Sequence, residues 1–535
     1  MDVSLSPLVA LLLVALLSRL ILVLATRTTK GGSPSSGDDD GRRRLPPSPP
    51  GLPLLGHLPL LLGSLPHRRL QAMAASHGSV VLLRMGRVPT VVASSAAAAQ
   101  EVMKVRDLAY ASRPRLRMAE RLLYGRDMAF APYGERWRQA RRVSVLHLLS
   151  HRRVLFFRRA REQEAAAMVA RVSRTRAAAA AVNLNAALIS YSSGIISRAA
   201  LGVADVRTYG LDGGGGAAGE NLTKLFDDFE ALLGTVTVGE LLPWLAWVDT
   251  LTGLHAKAAR TSAEMDAFLE RVIADHRQRR RAGRHREGGD GDDHRDFVDV
   301  LLDVNEAEHD GDDARGVLFD DDSIKGIILN MFSAATDTTY TTLVWAMAEL
   351  INHPDEIRRL QDEIRAAVAG GGGVTEDHLE QLRYHRRVIK ETLRLHAPVP
   401  LLLPRETTED TELLGYRVPA RTRVLVNAWA IARDPAAWER ADEFLPERFA
   451  DDDMKATDYL LGHHFRFVPF GAGRRGCPGV GFAAPAMELA LASLLYHFDW
   501  ELPAGGPSKV EMDELKGLSV RLKTTLHLTA KPWSP

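Results

Sequence analysis

A single long helical pattern between Ser323 and Pro354 is the strongest constraint on how this chain can fold. Its apolar residues, among them Ile327, Met331 and Leu343, fall on most sides of a helix and not in one stripe. Ser323 is the expected N-cap, and the helix is expected to end at Pro354 because proline cannot continue it. A helix this long and this apolar must be surrounded by other elements. We therefore expect a large helical core with this helix crossing its middle.

A small β-rich region precedes the helical part of the sequence. Val80–Met85 and Thr90–Val92 are rich in apolar and β-branched residues, and Gly86 and Pro89 lie between them, which predicts a hairpin. From residue 56 onward no boundary is strong enough to divide the chain. The sequence therefore predicts one mainly α-helical domain over residues 56–535, with a small β-rich region.

The chain contains 535 residues and a single cysteine, Cys477. Disulfide scaffolds, zinc fingers and cysteine-ligated iron–sulfur clusters need several thiols, so all three classes are excluded. Lys and Arg total 68 against 67 for Asp and Glu, and the resulting net charge of +1 predicts no nucleic-acid partner. The lone thiol can act only as one metal ligand or as one nucleophile.

The amino terminus carries a segment that can cross a membrane. Leu5–Ala25 is almost wholly apolar, and about 20 apolar residues are enough to span a bilayer. Basic residues follow this segment, beginning with Arg27 and Lys30, and none precedes it, which favours an uncleaved anchor with the carboxyl side in the cytosol. A cleaved signal peptide is the alternative. We expect an anchor over residues 1–30, then a flexible tether and a proline-rich hinge over residues 31–55.

The surroundings of Cys477 indicate a reactive or ligating thiol. Gly473, Gly476 and Gly479 permit the backbone to approach a flat group closely and to direct N–H groups towards the sulfur. Arg475 adds a positive charge that favours the thiolate, and the helical pattern that follows has its positive dipole end at the same place. From these residues alone, Cys477 can be a nucleophile or the axial ligand of a haem. A nucleophile needs a base, and no sequence signal of a cysteine–histidine protease accompanies it.

The segment Phe470-x-x-Gly473-x-Arg475-x-Cys477-x-Gly479 matches, at every fixed position, the haem-binding signature of the cytochrome P-450 family. Other motifs of this family are present in the family's order. They are Trp137-x-x-x-Arg141, Ala334-Ala335-Thr336-Asp337-Thr338-Thr339, Glu391-x-x-Arg394 and Pro446-Glu447-Arg448-Phe449. The chain thus resembles this family over its whole length, including the amino-terminal anchor and the proline-rich hinge.

This resemblance implies a cytochrome P-450 fold preceded by one transmembrane helix, with haem b as cofactor and the Cys477 thiolate as its axial ligand. The residues that would hold the haem or its propionates are Trp137, Arg141, Arg405, Phe470, Arg475 and Gly479. Another set has a structural role in the family. Glu391 and Arg394 lie one helical turn apart, and with Arg448 they can form a buried network.

Asp337 and Thr338 are the residues that the resemblance makes catalytic. Hydroxyl groups in a buried helix can bond back to carbonyl groups of the preceding turn and open it, which would make room for dioxygen and water. An acid beside an alcohol can supply the protons that cleavage of the O–O bond requires. The family usually has glycine at Ala335, so the added methyl group is expected to narrow the oxygen pocket. The implied reaction inserts one atom of dioxygen into the substrate and reduces the other to water.

Two other classes of protein would share the same cysteine. A haem-thiolate isomerase or dehydratase, acting on hydroperoxides or oximes, would need no reductase. Family members of that kind typically lack the helix threonine, so Thr338 argues against this class. A non-catalytic haem sensor is the other alternative, and it would not need Asp337 and Thr338 aligned over the iron.

The chain has no flavin or nicotinamide fingerprint of its own, so the resemblance implies electrons from NADPH through a membrane-bound flavoprotein reductase. Cytochrome b5 is a second candidate donor, and the other expected partners are membrane lipid, O2 and the substrate. The motifs look like those of the plant microsomal group, which works on specialised metabolites at the endoplasmic reticulum. The body of the chain looks most like grass enzymes that act on indole-derived compounds.

By analogy with the family, the substrate would contact Asn330, Ala334, Val399 and Leu518. The stretches that contain these residues are mostly apolar. A small lipophilic molecule is therefore the expected substrate.

Overall fold

The structure of the protein is a computed structural model. It describes residues 44–61, 63, 65–177, 180–203, 216–282, 295–310, 320–368, 372–450 and 465–533. The predicted membrane anchor and most of the predicted tether lie outside these ranges. Within them, the end of the proline-rich hinge packs on the body of the protein, because the N–H of Leu82 donates to the carbonyl of Pro47 at 2.8 Å.

Helices make up most of the described chain. They are α1 (Leu58–Leu61), α2 (Pro66–His77), α3 (Ala96–Gln100), α4 (Arg117–Leu122), α5 (Glu135–His147), α6 (His151–Phe156), α7 (Arg158–Ala177), α8 (Leu184–Leu201), α9 (Gly216–Leu233), α10 (Val238–Leu241), α11 (Ala246–Leu251), α12 (Leu254–Arg281), α13 (Phe297–Asp310), α14 (Asp321–Asn352), α15 (Pro354–Ala367), α16 (Glu376–Leu379), α17 (Arg383–Leu395), α18 (Ala428–Ile431) and α19 (Val480–His497). A π-helical turn, Glu101–Val105, continues α3, and 3-10 turns occur at Pro243–Leu245, Pro446–Phe449 and Gly473–Arg475.

The strands are short and form small sheets. They are β1 (Val80–Met85), β2 (Val88–Ala93), β3 (Val182–Asn183), β4 (Arg405–Glu406), β5 (Thr411–Leu413), β6 (Tyr416–Val418), β7 (Arg423–Val426), β8 (Phe498–Glu501), β9 (Glu514–Leu515), β10 (Arg521–Leu522) and β11 (His527–Pro532). The sheet orders are β1-β2-β7-β4, β3-β11-β8, β5-β6 and β10-β9. The prediction of a mainly helical protein with a small β-rich region is confirmed.

The long predicted helix is α14, and it is buried along most of its length. It packs against α8, α17 and α19, which places it inside the helical core as predicted. The prediction of its N-cap is wrong, because Asp320 occupies that position. Asp320 Oδ1 accepts hydrogen bonds from the N–H of Ser323 at 3.0 Å and from its hydroxyl at 2.8 Å. A carboxylate at the N-cap also meets the positive end of the helix dipole, which a serine hydroxyl does less well.

The predicted hairpin is present, but its second strand begins before Pro89. β1 and β2 pair antiparallel, and Arg84 lies opposite Pro89. β2 pairs with β7 only from Thr90 onward. Proline has no backbone N–H to donate, but no hydrogen bond between β2 and β7 is lost, because Pro89 lies before the first residue pair of these two strands. This sheet and the neighbouring loops enclose a second, smaller apolar core beside the helical one.

Among the described residues, one helix is long and apolar enough to cross a membrane, and it is α19. Because 72% of that stretch is buried inside the protein, α19 has the environment of a core helix.

Glu391 is the centre of a buried ion-pair network that joins α17 to the turn Pro446–Phe449. Arg394, one turn along α17, donates to both carboxylate oxygens at 2.8 Å, and Arg448 donates to Oε1 at 2.9 Å. The N–H of Leu445 also donates to Oε1, at 2.8 Å. Glu391 and Arg394 are fully buried, so their charges are balanced by each other and by backbone carbonyls. The network fixes the segment that leads towards the cysteine loop.

We expect Glu391→Gln to lower the free energy of unfolding by about 3–5 kcal/mol, because it leaves buried guanidinium groups without a carboxylate. Glu443→Gln is the matched control, since Glu443 also pairs with an arginine three positions away, Arg440, but at the surface. Urea denaturation followed by circular dichroism should show a lower midpoint for the first variant only. Equal midpoints for the two variants would contradict a special role of the buried network.

Candidate active site

One cavity of about 280 Å³ lies where α14, α9, α17 and α19 meet the loop that precedes α19. Most of the predicted site residues line it, namely Arg141, Asn330, Ala334, Asp337, Thr338, Val399, Arg405, Phe470, Arg475, Cys477, Gly479 and Leu518. Trp137, Glu391, Arg394 and Arg448 are not among its lining residues. The fold therefore brings the cysteine loop and the central helix to one place.

The loop that carries Cys477 is fixed by its own backbone. The N–H of Cys477 donates to the carbonyl of Phe470 at 2.9 Å, and that of Gly476 donates to the carbonyl of Gly473 at 2.9 Å. Gly473 has a φ of +69°, and a Cβ there would collide with the carbonyl oxygen of Met103. Only glycine fits this position, which explains one fixed glycine of the motif.

The thiol of Cys477 faces the cavity, and its surface is exposed there. Burial in the protein raises the pKa of this thiol, and the N–H of Gly479 and the charge of Arg141 only partly oppose that effect. The cation that acts on the thiol is thus Arg141, where the sequence had suggested Arg475. A cysteine nucleophile needs a lowered pKa, so this environment does not favour one. A metal ligand has no such need, because a coordinated thiol is deprotonated by the metal ion itself.

Four arginines line the same cavity. Arg113, Arg405 and Arg475 are buried, and Arg141 is half-buried. Burial lowers the pKa of each guanidinium group. Repulsion from neighbouring arginines adds to this effect for Arg113 and for Arg475, whose pKa falls to about 9. Like charges held together in this way are stabilised by an anionic group between them.

Each of these arginines donates to at least one backbone carbonyl. Arg475 donates to the carbonyls of Ala111 at 2.6 Å and Ala131 at 2.7 Å, and Arg405 donates to that of Ala472 at 2.9 Å. Nη1 of Arg475 is buried and has no hydrogen-bond partner in the part of the chain that the structure describes. An orphaned cationic donor among like charges fits a ligand carboxylate, and the propionates of a haem are such groups.

Trp137 lies behind this cluster. Its indole N–H donates to the carbonyl of Met128 at 2.9 Å. The guanidinium of Arg475 lies 4.0 Å from the centroid of the indole, and that of Arg141 lies 5.7 Å from it. Trp137 therefore holds two of the arginines by cation–π contacts. Its direct contact with a propionate stays a prediction.

Asp107 is a functional candidate that the sequence analysis missed. Its buried carboxylate accepts hydrogen bonds from the guanidinium of Arg405 at 3.4 Å and from the backbone N–H of Arg474 at 3.0 Å. The guanidinium of Arg474 also donates to it, at 3.3 Å. One carboxylate thus positions both a cavity arginine and the loop before Cys477. No motif marks Asp107, because its partners are distant in sequence.

Thr338 and Asp337 differ in their surroundings. The hydroxyl of Thr338 donates to the carbonyl of Ala334 at 2.8 Å, which is the predicted bond to the preceding turn. α14 continues without interruption through this region, so this bond does not break the helix. Asp337 is buried and pairs with Arg521 of β10, a partner that the sequence analysis did not identify.

The predicted substrate contacts fall into two kinds. Ala334, Val399 and Leu518 give the cavity apolar surface. Asn330 lines the cavity too, but its Oδ1 accepts the backbone N–H groups of Met128 at 2.8 Å and Ala129 at 2.9 Å. Asn330 therefore joins α14 to the loop before α5 through its amide oxygen, and contact of this residue with a substrate stays a prediction.

Glu230, near the carboxyl end of α9, is a second residue that the sequence analysis missed. It lines the cavity, and the hydroxyl of Ser333 on α14 donates to its carboxylate. Burial and then the charge of Asp337 raise the pKa of Glu230 to about 7. Only the fold reveals this residue, because its sequence surroundings resemble those of many amphipathic helices.

A lone cysteine and a set of buried arginines that share one cavity beside a long central helix define a haem-thiolate protein. A family model described as Cytochrome P450 matches residues 46–528. The chain belongs to the cytochrome P450 family, and it is a haem-thiolate monooxygenase.

Similar proteins include several from plants. Cytochrome P450 71A1 of Persea americana is 45% identical over 473 residues, which cover 88% of this chain and 90% of that protein. (+)-Menthofuran synthase of Mentha piperita is 41% identical over 489 residues, which cover 91% of this chain and 93% of that protein. The prediction of a plant member of the family is confirmed.

A solved structure of a zebrafish cytochrome P450 with abiraterone has a similar fold. Its TM-score is 0.69 at 23% identity, over 88% of this chain and 100% of that one. This likeness confirms the predicted fold.

We expect Asp107→Asn to reduce the fraction of haem-loaded protein whose reduced carbon monoxide complex has the thiolate-ligated absorption, because Arg405 and the cysteine loop lose a shared carboxylate. Asp442→Asn is the matched control. Asp442 lies 3.4 Å from the buried guanidinium of Arg433, the same distance as in the Asp107–Arg405 pair, but it is exposed, and neither Asp442 nor Arg433 lines the cavity. Spectra that change equally in both variants would contradict a positioning role of Asp107.

Proposed function

We propose that this chain is a plant microsomal monooxygenase that binds haem b with the Cys477 thiolate as axial ligand. Phe470 and Gly479 shape the loop around that thiolate, and the four arginines of the cavity hold the propionates. The observation that carries this proposal is that the lone cysteine shares one cavity with the orphaned donor of Arg475. The environment of the thiol supports a ligand more than a nucleophile.

The haem, when bound, supplies the activation of dioxygen, and we assign proton handling to two residues of α14. The hydrogen of the Thr338 hydroxyl is held by the carbonyl of Ala334, so its oxygen lone pairs can accept a hydrogen bond from a group in the cavity. Asp337 is the adjacent acid, and its pairing with Arg521 keeps the carboxyl at the cavity wall. The methyl group of Ala335 narrows the space beside them.

Electrons reach the site from NADPH through a flavoprotein reductase, with cytochrome b5 as a second candidate donor. We propose that residues 1–30 anchor the protein in the endoplasmic reticulum membrane by a single helix, with the catalytic domain, residues 56–535, in the cytosol. Residues 31–55 connect the two. The one membrane-competent helix among the described residues is the buried α19, so this proposal depends on the apolar amino-terminal sequence.

The substrate is a small lipophilic specialised metabolite. Apolar side chains dominate the cavity wall, and Ala334, Val399 and Leu518 are among them. A similar protein is named for making menthofuran, which supports a small lipophilic product. The likeness to grass enzymes of indole-derived metabolism stays a prediction.

Cys477→Ala tests the ligand directly. The reduced carbon monoxide complex of the wild-type protein is expected to absorb at the position typical of thiolate ligation, and the variant is expected to lose that band because no other cysteine can replace the ligand. Absence of the band in well-folded wild-type protein would contradict the proposal. Turnover by the wild type without any reductase would instead favour the isomerase or dehydratase alternative.

Thr338→Ala tests proton delivery, with Thr342→Ala as control. Both hydroxyls donate to a carbonyl one turn earlier, at 2.8 and 2.9 Å, but Thr342 is only 2% exposed. With a compound selected by its low-to-high-spin shift, we expect product per NADPH to fall by about a hundredfold in the first variant, the lower end of what a positioned proton-transfer group contributes. Hydrogen peroxide should account for the lost electrons. Normal coupling in Thr338→Ala would show that this hydroxyl is dispensable.

A further inference from the structure

The polar end of the cavity contains a carboxylate, Glu230, that forms no ion pair within the described residues. Glu230 of α9 lines the same cavity as Cys477 and accepts a hydrogen bond from the hydroxyl of Ser333. Within the residues that the structure describes, no Lys, Arg or His forms an ion pair with Glu230. Among the described residues its hydrogen-bond partner is the neutral hydroxyl of Ser333, so the charge of the carboxylate is not balanced by that bond.

Acidic groups outnumber basic groups at and around Glu230. Asp227 lies on the same helix, Asp337 lies on α14, and Arg521 of β10 faces all three acids. Arg521 is already paired with Asp337, and Asp227 is exposed to solvent. Tyr340 of α14 also faces this group, but its phenol is neutral, and burial and the charge of Asp337 raise its pKa further above the ordinary value. Glu230, which is half-buried, therefore remains without an ion-pair partner of its own.

A carboxylate buried in a mostly apolar wall is unfavourable unless a cation accompanies it. A ligand that brings a positive charge into the cavity would remove that penalty. A ligand with only apolar atoms would instead cover the carboxylate and leave it unsatisfied.

We propose that this cavity selects a lipophilic substrate that carries a protonated amine, and that the ammonium group pairs with Glu230 while the apolar part extends towards Cys477. This inference rests on the proposed function, because it concerns the substrate of the same haem site. Glu230 is then a specificity-determining residue, and Ser333 orients its carboxylate.

The charge of Glu230 makes the selection dependent on pH. Since burial and Asp337 raise the pKa of this carboxyl to about 7, it is largely neutral below that value and ionised above it. A permanently charged ligand should therefore bind more tightly as the pH rises through neutrality.

The experiment uses the full-length, haem-loaded protein and two probes of the same shape. One is a phenylalkyl trimethylammonium ion, whose nitrogen has no lone pair to ligate iron, and the other is the hydrocarbon with a tert-butyl group in its place. Each probe displaces a phenylimidazole reporter that is followed by its absorption spectrum. Glu230→Gln is expected to weaken the cation by about tenfold or more and to change the hydrocarbon by less than about twofold.

Asp227→Asn is the control, because it removes a neighbouring acid of α9 that is exposed to solvent. It should leave both dissociation constants unchanged. The wild type should bind the cation more tightly at about pH 8 than at about pH 6, and Glu230→Gln should lose this dependence.

Equal effects of Glu230→Gln on cation and hydrocarbon, or no effect on either, would overturn the inference. If the corresponding neutral alcohol loses as much affinity as the cation, the residue recognises a hydroxyl and the amine assignment is wrong. The reduced carbon monoxide spectrum is recorded first. A protein without the thiolate band refutes the proposed function, whereas a protein with that band but no preference for the cation refutes this inference alone.

Discussion

The structure depends on keeping several guanidinium groups buried next to one thiol. Arg113, Arg141, Arg405 and Arg475 repel each other, and burial disfavours the charge on each. Backbone carbonyls compensate part of this cost, and they can do so only because the surrounding loops are held in one conformation. The cation–π contacts of Trp137 and the carboxylate of Asp107 serve the same purpose. The cofactor site is thus a region where the protein tolerates unfavourable charge in order to receive an anionic ligand.

The cavity has a second polar region of opposite sign. Glu230 and Asp337 approach it from α9 and α14, and Arg521 balances only part of their charge. Positive charge is concentrated around the thiol and negative charge around these two helices. Apolar side chains make up most of the remaining wall, so a ligand in the cavity is oriented by two electrostatic regions and by one hydrophobic surface.

Much of the fold and of the cofactor site was predictable from the sequence. The length and apolar character of α14, the position of β1 and the helix after Cys477 follow from local patterns. The contacts of Glu391 with Arg394 and Arg448 agree with the network that the family motifs implied. These features are encoded by residues that are close in sequence or belong to a recognisable motif.

The residues that the sequence analysis missed share one property. Their roles depend on partners that are distant in sequence. Asp107, Glu230 and Arg521 belong to no motif, and each acquires its role from an element brought near only by folding. The N-cap of α14 was misassigned for a different reason. Asp320 and Ser323 are both good capping residues, and only the backbone conformation distinguishes them.

The cysteine loop also has a consequence for the order of folding. Arg474 contacts Asp107 across 367 positions, Arg475 contacts Ala111 across 364, and Arg141 contacts Gly476 across 335. Contacts of such separation form slowly, because a long segment must lose conformational entropy before they form. The hairpin of β1 and β2 can form early during synthesis, whereas the loop can close only after nearly the whole chain has left the ribosome. Uptake of the cofactor therefore requires that the cysteine loop has already met the segments around Asp107, Ala111 and Arg141.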